Sequence, residues 1–178
     1  MNTRSITVAA VICVFAGCTQ SAPEPRPEAE GAALLAPFKQ DLKSALISGM
    51  ESGPVAAISA CRMAAPLIAS GLSVDGVVMG RSSHKLRNPE NVAPEWAVPL
   101  MEAYVAGSQS GPVAVELADD RFGYVEPIMV QPMCLNCHGA QLHTDLAATI
   151  EELYPDDQAT GFSAGDFRGV FWVEFPGS

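Results

Sequence analysis

The sequence predicts an α+β fold in which an antiparallel sheet is flanked by helices. Three observations carry this. A helical start is followed by strand-like segments, and helix and strand then recur, an order that suits segregated layers around an antiparallel sheet. Two late segments, "FGYVEPIMV" and "FRGVFWVEF", are rich in aromatic and β-branched residues. No internal repeat or second linker divides residues 32–178, which is enough chain for one domain with a real core.

Residues 1–17 read as a signal segment rather than as part of that domain. Arg4 precedes the apolar run "ITVAAVICVFA", which is too short to span a bilayer, since a spanning helix needs about 20 residues. "FAGC" is similar to the lipobox of bacterial lipoproteins, so Cys18 is the expected lipidation site, with plain secretion as the alternative. Residues 18–31, with prolines at 23, 25 and 27 among small and charged residues, read as a tether reaching roughly 35 Å if extended at about 3.1 Å per residue.

Helices are expected near 33–49, 54–70, 94–107 and 145–153. The second has Pro54 at a first helical position and Gly71 as its stop, while Pro66 is expected to kink it or end it after Ala65. Strands are expected at "SVDGVVMG", "PVAVEL", "FGYVEPIMV" and "FRGVFWVEF", with Tyr154, Pro155, Asp156 and Asp157 forming a turn before a final hairpin.

Ten Lys and Arg stand against twenty Asp and Glu, which argues against nucleic acid and against attraction to anionic lipid, leaving a lipid anchor as the expected membrane contact. Of the five cysteines, Cys13 leaves with the signal and Cys18 takes the lipid, so Cys61, Cys134 and Cys137 remain. An unpaired cysteine in an oxidising compartment is inert and buried, paired with another chain, or engaged in chemistry.

"QPMCLNCHGAQ" admits three chemistries. A redox dithiol needs its C-x-x-C within a βαβ unit, and no such alternation surrounds it. Structural zinc needs four ligands, and the only spare ones are the scattered Cys61, His84 and His143. Covalent haem c uses every part: Cys134 and Cys137 add across the haem vinyl groups, His138 reaches the iron, and Gly139 leaves room beside the ring. Export agrees, because haem c is attached outside the cytoplasmic membrane.

For the sixth iron ligand the sequence offers Met50, Met63, Met79, Met101, Met129 and Met133, although methionine is more often core filler. His143 follows His138 too closely to reach the other side of the ring, and His84 sits in a polar, exposed stretch. Cys61 has the better setting, on a helical face of Ala57, Ile58, Ala64, Ala65 and Ile68 that a flat macrocycle can approach.

"AAISACRMAA", "GRSSHKLRNPENVAPEW", "MCLNCHG" and "YPDDQATGFSAGDFRGVFWVEF" occur in this order. Together they resemble a bacterial family of haem c domains with a PAS-like fold, found at the sensory end of histidine kinases and as stand-alone exported proteins. The resemblance implies Cys61 as second axial ligand beside His138, a basic segment at Arg81, Lys85 and Arg87, and a terminal strand motif at Gly165, Asp166 and Gly169. Ala97 stands where the pattern carries an acidic residue. Haem propionates need compensating charge, and Arg81 and Arg87 are the candidates because guanidinium binds carboxylate bidentately.

Two functions are carried forward. One is redox or small-gas sensing, in which reduction loosens the Cys61 thiolate and frees a position for a gas. The other is one-electron transfer to a partner protein. A sensor without its own output domain needs a signalling partner. No Ser-His-Asp arrangement or distal acid–base pair supports an enzyme. The expected location is the periplasmic side of a bacterial membrane, lipid-anchored, with a soluble periplasmic form as the alternative.

Overall fold

Helix α1 (Pro27–Glu51) opens the part of the chain that the computed structural model describes, residues 27–177. The signal segment, Cys18 and the tether as far as residue 26 lie outside the described residues. The helix starts before the expected residue 33. Pro27 takes a position where a missing N–H costs nothing, and Glu28 and Glu30 sit at the positive end of the helix dipole. Residues 27–31, expected in the tether, therefore belong to the fold, and Gly31 is buried against Tyr124. A Cβ there would lie 2.4 Å from the ring.

Helix α2 (Pro54–Leu72) continues through Pro66 instead of ending after Ala65. Arg62 and Pro66 are both exposed, so water can satisfy the carbonyl that the proline leaves without a partner. By length and composition α2 would be able to cross a membrane. Here it lies along α1, with Ala57, Ile58 and Ala65 buried.

Four strands follow: β1 (Val78–Ser82), β2 (Val113–Leu117), β3 (Arg121–Met129) and β4 (Phe167–Pro176). All pairings are antiparallel, in the order β1-β4-β3-β2. β1 starts later than expected because Asp75 and Gly76 turn the chain with φ of 53° and 80°. β2 and β3 form a hairpin around Asp119 and Asp120, both left-handed. The expected final hairpin does not form: β4 pairs with β3 across the whole 130–166 excursion and with β1 on its other side.

Strand alternation sorts the two faces of the sheet. Tyr124, Val173, Phe175 and Met79 face α1 and α2, where they meet Leu35, Phe38, Leu42 and Ala65. Val125 and Val170 face the other way, toward a short 3-10 turn (Glu95–Ala97) and helix α3 (Val98–Val105), where Trp96 and Trp172 pack edge to face. Ala97 is fully buried in this second core, which has no room for the acidic residue expected there.

The excursion carries helices α4 (Leu135–His138) and α5 (Thr144–Leu153), and α5 packs Leu146 and Ile150 against Ile58 of α2. It leaves the sheet at the end where β1 and β3 finish and β4 begins. A cavity opens there.

Candidate functional site

The excursion builds one wall of the cavity. Pro132 starts a 3-10 turn (Pro132–Cys134) that runs directly into α4, and the Gln131 N–H donates to Cys134 Sγ at 3.4 Å. Positions three and four apart on a helical turn share a side. Cys134, Cys137 and His138 accordingly all line the cavity, which has a volume of about 280 Å³. All three cysteines of the described residues are free thiols. At Gly139 a Cβ would lie 2.7 Å from the Leu135 carbonyl oxygen, so the backbone itself needs the space there.

His138 is fixed by its second ring nitrogen. Nδ1 lies 2.6 Å from the Ala159 carbonyl, which can only accept, so Nδ1 carries the proton and Nε2 keeps a free lone pair. The Phe162 N–H donates to the His138 carbonyl at 2.9 Å and ties the same loop to α4. Burial lowers the His138 pKa to about 3, with the charges of Arg168 and Arg87 adding to the effect. At neutral pH the imidazole is neutral, the form that ligates metals.

The cavity is also lined by Leu46 and Met50 of α1, Ala57, Ile58 and Cys61 of α2, and Arg81 of β1. Cys61 is half-buried, and burial raises its thiol pKa while the Arg81 guanidinium pulls it back. Left to itself Cys61 is a neutral thiol. The Arg81 side chain makes no hydrogen bond or ion pair among the described residues, and burial lowers its pKa.

Arg87 lines the cavity too, but its fork is already occupied. Nε and Nη2 reach the two Asp157 carboxylate oxygens at 3.2 and 3.0 Å, and Nη2 also donates to the Cys137 carbonyl at 2.6 Å. The carboxylate that Arg87 binds bidentately here is thus the protein's own Asp157.

Sequence reasoning missed Arg168. β3 and β4 lose register after the pair Ile128 and Gly169, and Met129 pairs with Phe167, so Arg168 is the extra residue of a β-bulge. Bulges re-aim side chains, and this one lines the cavity. Its Nη1 donates to Ser83 Oγ at 2.5 Å and to the Lys85 carbonyl at 3.1 Å, while its buried Nε has no partner. Burial, then repulsion from Arg81 and Arg87, lowers its pKa to about 10, which leaves it charged at neutral pH. The one available sequence signal was an arginine just before the second glycine of the Gly165–Asp166–Gly169 motif. That motif has its own structural duties: Asp166 accepts the Ser163 N–H at 2.7 Å, and Gly169 lets the Ser82 carbonyl come close.

The remaining candidates separate cleanly. Met50, Met129 and Met133 line the cavity, Met79 is buried in the main core and Met63 is exposed on α2. His84 is exposed and stacks on Phe167, and His143 is exposed beside Asp145. Lys85 lies over the Phe162 ring, 4.9 Å from its centre. Among the described residues no three His, Cys, Asp or Glu side chains are grouped to share a metal ion, so a four-ligand zinc site has no candidate set there.

Residues 19–176 match the family model described as Tll0287-like. Among solved structures the chain is similar to the cyanobacterial heme-protein Tll0287, with 23% identity over 82% of this chain and 91% of that one and a TM-score of 0.60. At that identity the likeness shows a shared fold. No curated protein matches the chain.

Proposed function

The chain belongs to the Tll0287-like family, and we propose that it is an exported, lipid-anchored protein holding one covalent haem c and working in redox or small-gas sensing. The observation that carries the haem reading is the His138 Nδ1 bond to the Ala159 carbonyl, made on the same short helix that turns Cys134 and Cys137 into the cavity. A ligating histidine is characteristically held in this way by its other nitrogen. The donor set fits haem: Cys134 and Cys137 would form the thioether links, and His138 Nε2 and Cys61 would take the axial positions. Arg81 and Arg168, both in the cavity wall, would face the propionates, and the heme-protein description of the structural relative supports haem as the cofactor. Bound haem would supply a one-electron couple.

The chain's own residues then set its behaviour. Cys61 is the adjustable side of the site, because thiolate favours ferric over ferrous iron, and its release on reduction would leave a position for a small gas. His138 is the fixed side, locked by its loop. The reading is not catalytic, and it requires a signalling partner. Anchoring at Cys18, on the periplasmic side of a bacterial membrane, rests on the sequence of the signal segment alone.

Electron transfer to a partner protein is the second reading, and one observation favours it. Phe162 packs edge to face on His138 with ring centres 6.3 Å apart and on exposed His84 at 5.9 Å, so aromatic rings lead from the proposed ligand to the surface. Absorption spectra of the exported protein in both redox states, with and without carbon monoxide, separate the two. Carbon monoxide binding to the ferrous form supports sensing. A ferrous form that refuses it, with an unchanged ligand set, supports the carrier.

A further inference from the structure

Asp157 is the hub of a buried relay that reaches His138 from behind. Its side chain is 8% exposed and carries the bidentate pair with Arg87. Asp157 Oδ1 also accepts the Ala159 N–H at 2.9 Å, and the carbonyl of that same Ala159 receives His138 Nδ1. Arg87 meanwhile grips the other partner: its Nη2 donates to the Cys137 carbonyl at 2.6 Å, one residue before His138. The Gln158 N–H donates to the Leu86 carbonyl at 2.9 Å and holds the two segments in register. The backbone of the donor and the backbone of the acceptor in the His138–Ala159 bond are thus pinned by one ion pair.

We propose that Arg87 and Asp157 are a positioning pair for His138, fixing the orientation and basicity of its imidazole toward the iron. The inference rests on the haem reading above and deepens it. Net stability is a weak account of such a pair, because replacing a buried ion pair by apolar residues is often neutral. What the pair supplies is geometry. A carbonyl held hard against Nδ1–H strengthens donation from Nε2, and partners of this kind typically change metal affinity by roughly 10- to 100-fold when altered. A more basic imidazole favours ferric iron.

The deciding variant is Arg87→Lys, which keeps the charge and loses the fork. In the full chain, exported and haem-matured, the preference of His138 for ferric iron is expected to fall about tenfold, read as a rise of about 59 mV in reduction potential. The electron paramagnetic resonance of the ferric form is expected to change with it. Asp157→Asn should shift the same spectrum, and the double variant should add little to either single change. Asp157→Asn also serves as the test if Arg87→Lys does not accumulate. Unchanged potential and resonance, with only a lower thermal midpoint, would overturn the proposal and leave the pair a packing element. Wild type is stained for haem first: a colourless wild type overturns the haem reading and this inference with it, whereas a coloured wild type with unmoved variants overturns the inference alone.

Discussion

Gly169→Ala tests the architecture around the cavity. Gly169 has φ +155°, and a Cβ built on it would lie 2.1 Å from the Ser82 carbonyl oxygen and 3.1 Å from Ser83 Cα. Real Cβ atoms do not approach closer than 3.0 Å, so β1 and β4 would have to part by about 0.9 Å, and both offending groups are backbone that no rotamer change relieves. The strained φ adds about 1–3 kcal/mol and the overpacking about 1–3 kcal/mol more, so a loss of about 2–6 kcal/mol is expected. That is a large share of the roughly 5–15 kcal/mol that holds a domain together. The displacement falls on the bulge that aims Arg168 and on the 2.5 Å hydrogen bond from Ser83 Oγ to the Arg168 carbonyl. Urea unfolding of the wild type and the variant reads the loss. A change under about 0.5 kcal/mol at constant slope, the size of an ordinary surface substitution, would refute the close approach and with it the bulge geometry.

Three further outcomes follow from the same structure. Cys61→Ala should raise the reduction potential by roughly 180 mV if thiolate prefers ferric iron about a thousandfold, at about 59 mV per tenfold; an unmoved potential and ferric spectrum would return Cys61 to packing and direct attention to Met50, Met129 and Met133. Burial raises the phenol pKa values of Tyr104, Tyr124 and Tyr154, so the folded state binds those protons more tightly than the unfolded chain does, and their contribution is complete below about pH 10 and lost as pH climbs through the raised values. Thermal midpoints should therefore fall above about pH 10, and flat midpoints there would contradict the burial of these hydroxyls. Cys18→Ser should release the protein from the membrane fraction, and an unchanged distribution would argue for ordinary secretion or attachment through another protein.

What the sequence discloses of the site is what depends on local spacing. Cys134, Cys137 and His138 fall on one short helical turn because they are three and four residues apart, and Cys61 lies on the α2 face that the helical period picked out. The surroundings of the cations depend on contacts between distant parts of the chain. Arg87 meets Asp157 70 residues away, and nothing near Arg87 signals that its fork is taken. Arg168 turns into the cavity only because β3 and β4 slip register by one residue, a property of their pairing rather than of either strand alone. The fold shows the same division. β2, β3 and β4 were legible from their residue types, whereas the start of α1 was hidden because Pro27, Glu28 and Glu30 suit a flexible tether as well as a first helical turn.

Covalent haem at Cys134 and Cys137 is tested most directly by peptide mass spectrometry of the exported protein. From cells with haem-maturation machinery, the proteolytic peptide containing Cys134 and Cys137 should carry one haem through two thioether links, and Cys61 should remain free to alkylate after denaturation. A matured protein in which Cys134 and Cys137 are both found as free thiols, as a disulfide or with bound zinc would contradict the account.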